Sequence, residues 1–147
     1  MNQNPIFILG AHKSGTSLLR SIFDGHSELF VIPNEAHFFQ HLGCWIDYNM
    51  RRQYPQDLSK KEIESNFISW IEKANTISAR TSDSDTRNFW DIEIFKKSLA
   101  DNMNGSDDIK SYIESYISAM YNSLYGSDLP NIYRVVEKSV DHAEFAV

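Results

Sequence analysis

Apolar and polar positions along the chain change period several times, and each change marks an element. Ile6 to Leu9 is a continuous apolar run, the pattern of a strand buried on both faces in a parallel sheet. Gly10 to Gly15 interrupts it as a loop. Leu18, Leu19, Ile22 and Phe23 then recur at helical spacing, and Gly25 supplies a stop. Leu29 to Ile32 is a second short apolar run, closed by Pro33. Strand, glycine loop, helix and strand in that order open a βαβ unit.

The middle of the chain has a different period. Ser59 and Glu62 form a capping box ahead of Ile63, Phe67, Trp70, Ile71 and Ala74, which fall on one helical face. A polar stretch over 81–88 reads as a loop, and a weaker helix follows around Ile92 to Leu99. Ser106 is the expected cap of a third helix. Its stripe of Ile109, Tyr112, Ile113, Tyr116, Ile117, Met120 and Leu124 runs to Gly126 and predicts a core face. Residues 132–138 return to strand. The expected fold class is therefore α/β, a P-loop-like parallel sheet flanked by helices, with a helical insertion over about 57–126. Three recognisable strands fall short of the usual ~5 to 6, so the sheet is expected to be cut short after the third.

Composition narrows the class. At 147 residues the chain supports one modest core. With 41% hydrophobic and 23% charged residues it is globular rather than disordered. A net charge of −6 without a basic tract argues against nucleic acid or an anionic membrane as partner. Cys44 is the single cysteine, so no internal disulfide can form. With no apolar leader or span, this predicts a cytoplasmic protein.

The chemistry is concentrated in the first loop. Gly10-x-x-x-x-Gly15-Thr16-Ser17 has the glycine spacing of a nucleotide-triphosphate loop. Glycines let the backbone wrap, and successive N–H groups with the helix N-terminus offer positive potential to a phosphate. A triphosphate loop has lysine after its second glycine, to reach the outer phosphates beside a metal ion. Here Thr16 takes that place, and Lys13 supplies a cation inside the loop. No strand ends on a metal-holding carboxylate. The loop over 10–17 is built for a single phosphate, and no metal is expected. His37, His41 and Cys44 have ligand-like spacing on a possible helix, but three donors do not complete a structural site.

The stretch "FILGAHKSGTSLLRSIFDGHSELFV" resembles the 5′-phosphosulfate loop of sulfotransferases that use 3′-phosphoadenosine 5′-phosphosulfate, with its [KR]-S-G-T-[ST] core. "NEAHFF" (34–39) resembles the N-E-V-H-F-F segment of the heparan sulfate 3-O-sulfotransferase branch, and "VEKS" (136–139) its E-K-[ST]-P. His12 and Val140 depart from those patterns. The resemblance implies the N-terminal half of a sulfotransferase domain, with the 3′-phosphate motif lying beyond residue 147. It implies that Lys13, Ser14, Gly15, Thr16 and Ser17 bind the nucleotide. Glu35 would then be the general base, His37 would orient it or the acceptor, and Lys13 and Lys138 would act on the sulfuryl group. The acceptor would be a small molecule or glycan bearing a hydroxyl or amine. Two other readings stay open: a truncated or decayed, non-catalytic nucleotide-binding domain, and a degenerate P-loop kinase. Arg20 is read as a surface residue, and Asp141, His142 and Glu144 as solvated.

Overall fold

A computed structural model describes residues 4–11, 13–47, 52–77 and 90–139. His12, the polar loop over 81–88, Val140, Asp141, His142 and Glu144 lie outside the described residues. The chain divides into two compact units, Met1–Gln56 with Pro130–Val147, and Asp57–Leu129.

The first unit carries a parallel three-stranded sheet, which bears out the α/β reading. Its strands are β1 (Ile6–Ile8), β2 (Leu29–Val31) and β5 (Arg134–Lys138), in the order β1-β5-β2. Ile8 pairs with Lys138 on one side of β5, and Val31 with Val136 on the other. The latest strand in sequence is thus the central one. Its flanked position explains why Val135, Val136, Glu137 and Lys138 are all buried. All three strands run the same way, so their C-terminal ends share one end of the sheet, where ligands gather in α/β folds. The sheet also departs from expectation at β1. Phe7 is 39% exposed, because β1 is an edge strand with a neighbour on one side only.

Helix α1 (Thr16–Phe23) packs on all three of these strands, and its orientation reverses the face expected from its apolar positions. Leu18, Leu19 and Ile22 are exposed, whereas Thr16 is buried and Arg20 and Phe23 are half-buried. Two polar anchors account for this. Thr16 is tucked against Gly10, and Arg20 donates through Nη1 to the carbonyl of Pro33, just past β2. A short helix α2 (Phe38–His41) follows, and then an antiparallel hairpin of β3 (Cys44–Asp47) and β4 (Arg52–Pro55). Cys44 therefore stands on a strand, which ends its reading as a third residue on one helix face with His37 and His41.

The second unit is three helices, α3 (Lys60–Ile77), α4 (Ile92–Met103) and α5 (Ile109–Tyr125). The Ser59–Glu62 capping box is formed at α3. At α5 the cap is Asp108 rather than Ser106; Asp108 and Ser111 exchange hydrogen bonds in a capping box of their own. Tyr116 stacks on Phe67 at 4.1 Å and meets Phe95 edge-on, so the middle of the α5 stripe, Tyr116, Ile117 and Met120, is core as its spacing predicts, whereas Ile109 at its start is exposed. Among the described residues no helix is long and apolar enough to cross a membrane.

Candidate active site

In the loop after β1 the Ser14 and Thr16 side chains pack closely over Gly10. A Cβ on Gly10 would lie 2.8 Å from Ser14 Oγ and 2.9 Å from Thr16 Cγ2, so any larger residue would push these two side chains out of place. Gly15 takes φ 88°, a left-handed conformation, and serves as the N-cap of α1. No side chain caps that terminus. The leading amides of α1 therefore face the loop without a side-chain acceptor, the arrangement that accepts an anion at a helix start. Ser14 N–H closes the loop on Ala11 O at 3.2 Å. Lys13, Ser14 and Ser17 are exposed around it, and Thr16 is buried.

Lys13 and His37 share a further property. They are the two non-glycine residues with positive φ among the described residues, at 61° and 48°. Holding a β-carbon in that region costs on the order of 1–2 kcal/mol per residue, and such strain gathers where geometry serves a function. Both residues were singled out for chemistry by the sequence.

The second half of the site is built where β2 and β5 end. Glu35 follows β2, and Lys138 closes β5. Lys138 donates through Nζ to Glu35 Oε1, and His37 Nε2 lies 3.5 Å from Glu35 Oε2. The Lys138 side chain is only 9% exposed, while Glu35 is 28% and His37 21% exposed. The amine is thus enclosed and the carboxylate remains open to an incoming molecule. Phe38 is buried beside this cluster and meets Phe7 edge-on at 6.4 Å.

Behind the ion pair is a network that the sequence did not single out. Glu137 and Ser139 are each 0% exposed. Ala36 N–H donates to Glu137 Oε1 at 3.0 Å, and His37 N–H donates to Ser139 Oγ at 3.2 Å. The Ser139 hydroxyl in turn donates to Glu137 Oε1. Both residues fall in the motif-like stretch "VEKS", where the sequence gives a role to Lys138 alone; the further signal was a glutamate inside an apolar strand, a group seldom buried unless it is bonded.

The structure thus brings Glu35, His37 and Lys138 into direct contact. The parallel sheet puts Lys13, Ser14, Gly15, Thr16 and Ser17 at that same end of it. Arg20 is half-buried on α1, and its bond to Pro33 ties α1 to the segment leading to Glu35. His41 is buried on α2. Among the described residues no group of three or more His, Cys, Asp or Glu is arranged to hold a metal ion.

Comparison with known proteins agrees with the sequence resemblance at the level of the family. A family model described as "Sulfotransferase family" matches residues 5–103, two thirds of the chain, including the loop and Glu35. No curated protein and no solved structure matches the chain.

Proposed function

The chain belongs to the sulfotransferase family, and from that premise we propose that it transfers a sulfuryl group from 3′-phosphoadenosine 5′-phosphosulfate to the hydroxyl or amine of a small-molecule or glycan acceptor. The observation that carries this reading is the juxtaposition of a lysine-bearing phosphate loop with an open, lysine-paired carboxylate at one end of a parallel sheet. The loop suits the donor's 5′-phosphate. Gly10 leaves room for the Ser14 and Thr16 side chains, and α1 begins without a side-chain cap. When bound, the donor supplies an electrophilic sulfur and a leaving phosphate.

The chain's own residues divide the remaining work. Lys13, the loop amides and the hydroxyls of Ser14, Thr16 and Ser17 hold the 5′-phosphate and stabilise the negative charge that grows there. Glu35 takes the acceptor's proton as its oxygen or nitrogen attacks, because an alcohol is a poor nucleophile while protonated. Lys138 pairs with the carboxylate and offers a cation at the same point. His37, held beside Oε2 of Glu35, orients the base. A sulfuryl group carries less negative charge than a phosphoryl group, so this scheme is drawn with no metal ion.

The experiment is Glu35→Gln, which keeps size and removes basicity. Turnover is expected to fall by about 10²–10⁴, with little change in affinity for adenosine 3′,5′-bisphosphate. Turnover within a few-fold of the parent would remove Glu35 from this role and turn attention to His37.

A further inference from the structure

Turnover by this site depends on where Glu35 sits, yet Glu35 lies on an irregular segment between β2 and a four-residue helix. Such segments are mobile unless their backbone groups are bonded to something rigid. What holds this one is side chains from the central strand. Glu137 and Ser139 are two residues apart, and positions i and i+2 on an extended chain fall on the same side. From that side they grasp two consecutive amides, Ala36 N–H on Glu137 Oε1 and His37 N–H on Ser139 Oγ. The Ser139 hydroxyl also donates to Glu137, so the two acceptors are locked to each other. Lys138, between them, takes the Glu35 side chain. Three successive residues at the end of β5 thus hold three successive residues after β2.

Three details give this clamp more than a packing role. A buried carboxylate is a costly way to fill space, and an apolar side chain would do so without unmet bonding demands. The grasped residue His37 is in a left-handed conformation that its β-carbon disfavours, so its backbone is held there by its surroundings. The residue that precedes the grasped pair is the open carboxylate, 28% exposed. Local strain, two directed hydrogen bonds and a buried charge all act on the peptide units that aim Glu35.

We propose that Glu137 and Ser139 are positioning residues for sulfuryl transfer: by fixing the amides of Ala36 and His37 they hold Glu35 against Lys138 and toward the acceptor. This rests on the proposed role of Glu35. Neither residue touches the reacting atoms, so their loss acts on alignment and not on binding of the donor. Misplacement of a catalytic group by about 1 Å costs on the order of 10²-fold in rate.

The test compares Ser139→Ala, which removes the acceptor of the His37 amide, with Ser139→Thr, which keeps a hydroxyl there. In the full chain, Ser139→Ala should lower kcat by about 10- to 100-fold and leave the donor KM and the affinity for adenosine 3′,5′-bisphosphate within about twofold. Ser139→Thr should recover most of the loss. A kcat within threefold of the parent for Ser139→Ala, or equal losses for both variants, would overturn the proposal. A second readout does not depend on turnover. The coupling between Glu35 and Lys138, measured by a stability double-mutant cycle, should fall by at least half when the cycle is repeated in the Ser139→Ala background. Amide exchange at His37 should speed up in the same variant. Undiminished coupling with unchanged exchange refutes the clamp. A parent that binds no bisphosphate and transfers no sulfuryl group refutes the functional reading alone, since coupling and exchange still decide whether the clamp exists.

Discussion

Removing Glu35 and removing Lys138 should not cost the same, although they are two ends of one ion pair. At contact distance and an effective dielectric constant near 20, opposite charges attract by about 4 kcal/mol. Desolvation offsets much of this. The Lys138 side chain is 9% exposed and loses most of its hydration, whereas Glu35 at 28% retains part of its own. A net coupling of about 1–2 kcal/mol is what remains. Glu35→Ala strands an enclosed amine; fully buried orphans cost 3–5 kcal/mol, and residual access brings the expectation here to roughly 2–3 kcal/mol. Lys138→Met keeps the apolar stem, removes the charge that needed a partner, and leaves a carboxylate that can reach water. It should cost no more than about 1 kcal/mol. For a chain of this size each kcal/mol shifts Tm by roughly 3–4 °C. Calorimetric melting should therefore show Glu35→Ala falling by about 6–12 °C and Lys138→Met by less than about 4 °C. Urea unfolding of both singles and the double gives the coupling directly. Equal losses, or a coupling below about 0.5 kcal/mol, would refute this account of the pair.

Lys13→Ala should weaken adenosine 3′,5′-bisphosphate by ~1.5–3 kcal/mol, the worth of a charge-assisted hydrogen bond. Calorimetry showing tight, magnesium-dependent ATP binding to the parent would contradict the single-phosphate reading of the loop. Gly10→Ala forces a β-carbon to within 2.8 Å of Ser14 Oγ and should cost about 1–3 kcal/mol of stability, with loss of bisphosphate binding; an unchanged melt and unchanged affinity would contradict it. Two helix caps carry an acid dependence. Hydrogen bonds from Ser59 hold Glu62 below its ordinary range, and bonds from Ser111 do the same for Asp108. A folded pKa below the unfolded one stabilises above the unfolded value and is lost as pH falls through the folded one. Their contribution should therefore be complete at neutral pH and fade below about pH 4.5, and Glu62→Gln should flatten that limb of a stability-versus-pH curve.

What could be read beforehand was whatever is written locally. β1, the glycine loop, α1 and β2 follow from contiguous apolar runs and glycine spacing. α3 follows from its cap and its stripe, and α5 from its i, i+3, i+4 stripe although its cap is Asp108 and not Ser106. The orientation of α1 could not be read, because it is set by Thr16 meeting Gly10 and by Arg20 reaching Pro33, contacts that a hydropathy pattern does not encode. The β3–β4 hairpin escaped because "CWID" and "RQYP" lack clean alternation and the second ends in proline. At the site, Glu35, His37 and Lys138 were nameable one by one. Their contact was not, since it depends on β5 entering between β1 and β2. Glu137 and Ser139 were hidden for the same reason, as their partners lie 101 and 102 positions away.

That insertion of β5 also sets a timetable. β1 and β2 leave the ribosome early and do not pair with each other; each waits for the strand that will lie between them. At about 5–20 residues per second, the roughly one hundred residues from β2 to the end of β5 take on the order of 5–20 s to appear. During that interval two apolar strands stand with open edges, the condition under which nascent chains associate wrongly. The helical segment between β2 and β5 can fold on local contacts in the meantime. The loop can close in the meantime, but Lys138, Glu137 and Ser139 arrive only with the end of β5, and with them the proposed alignment of Glu35. Under the proposed function, a chain interrupted before β5 would carry the loop without the residues that align Glu35, so synthesis through that strand is what would complete the site.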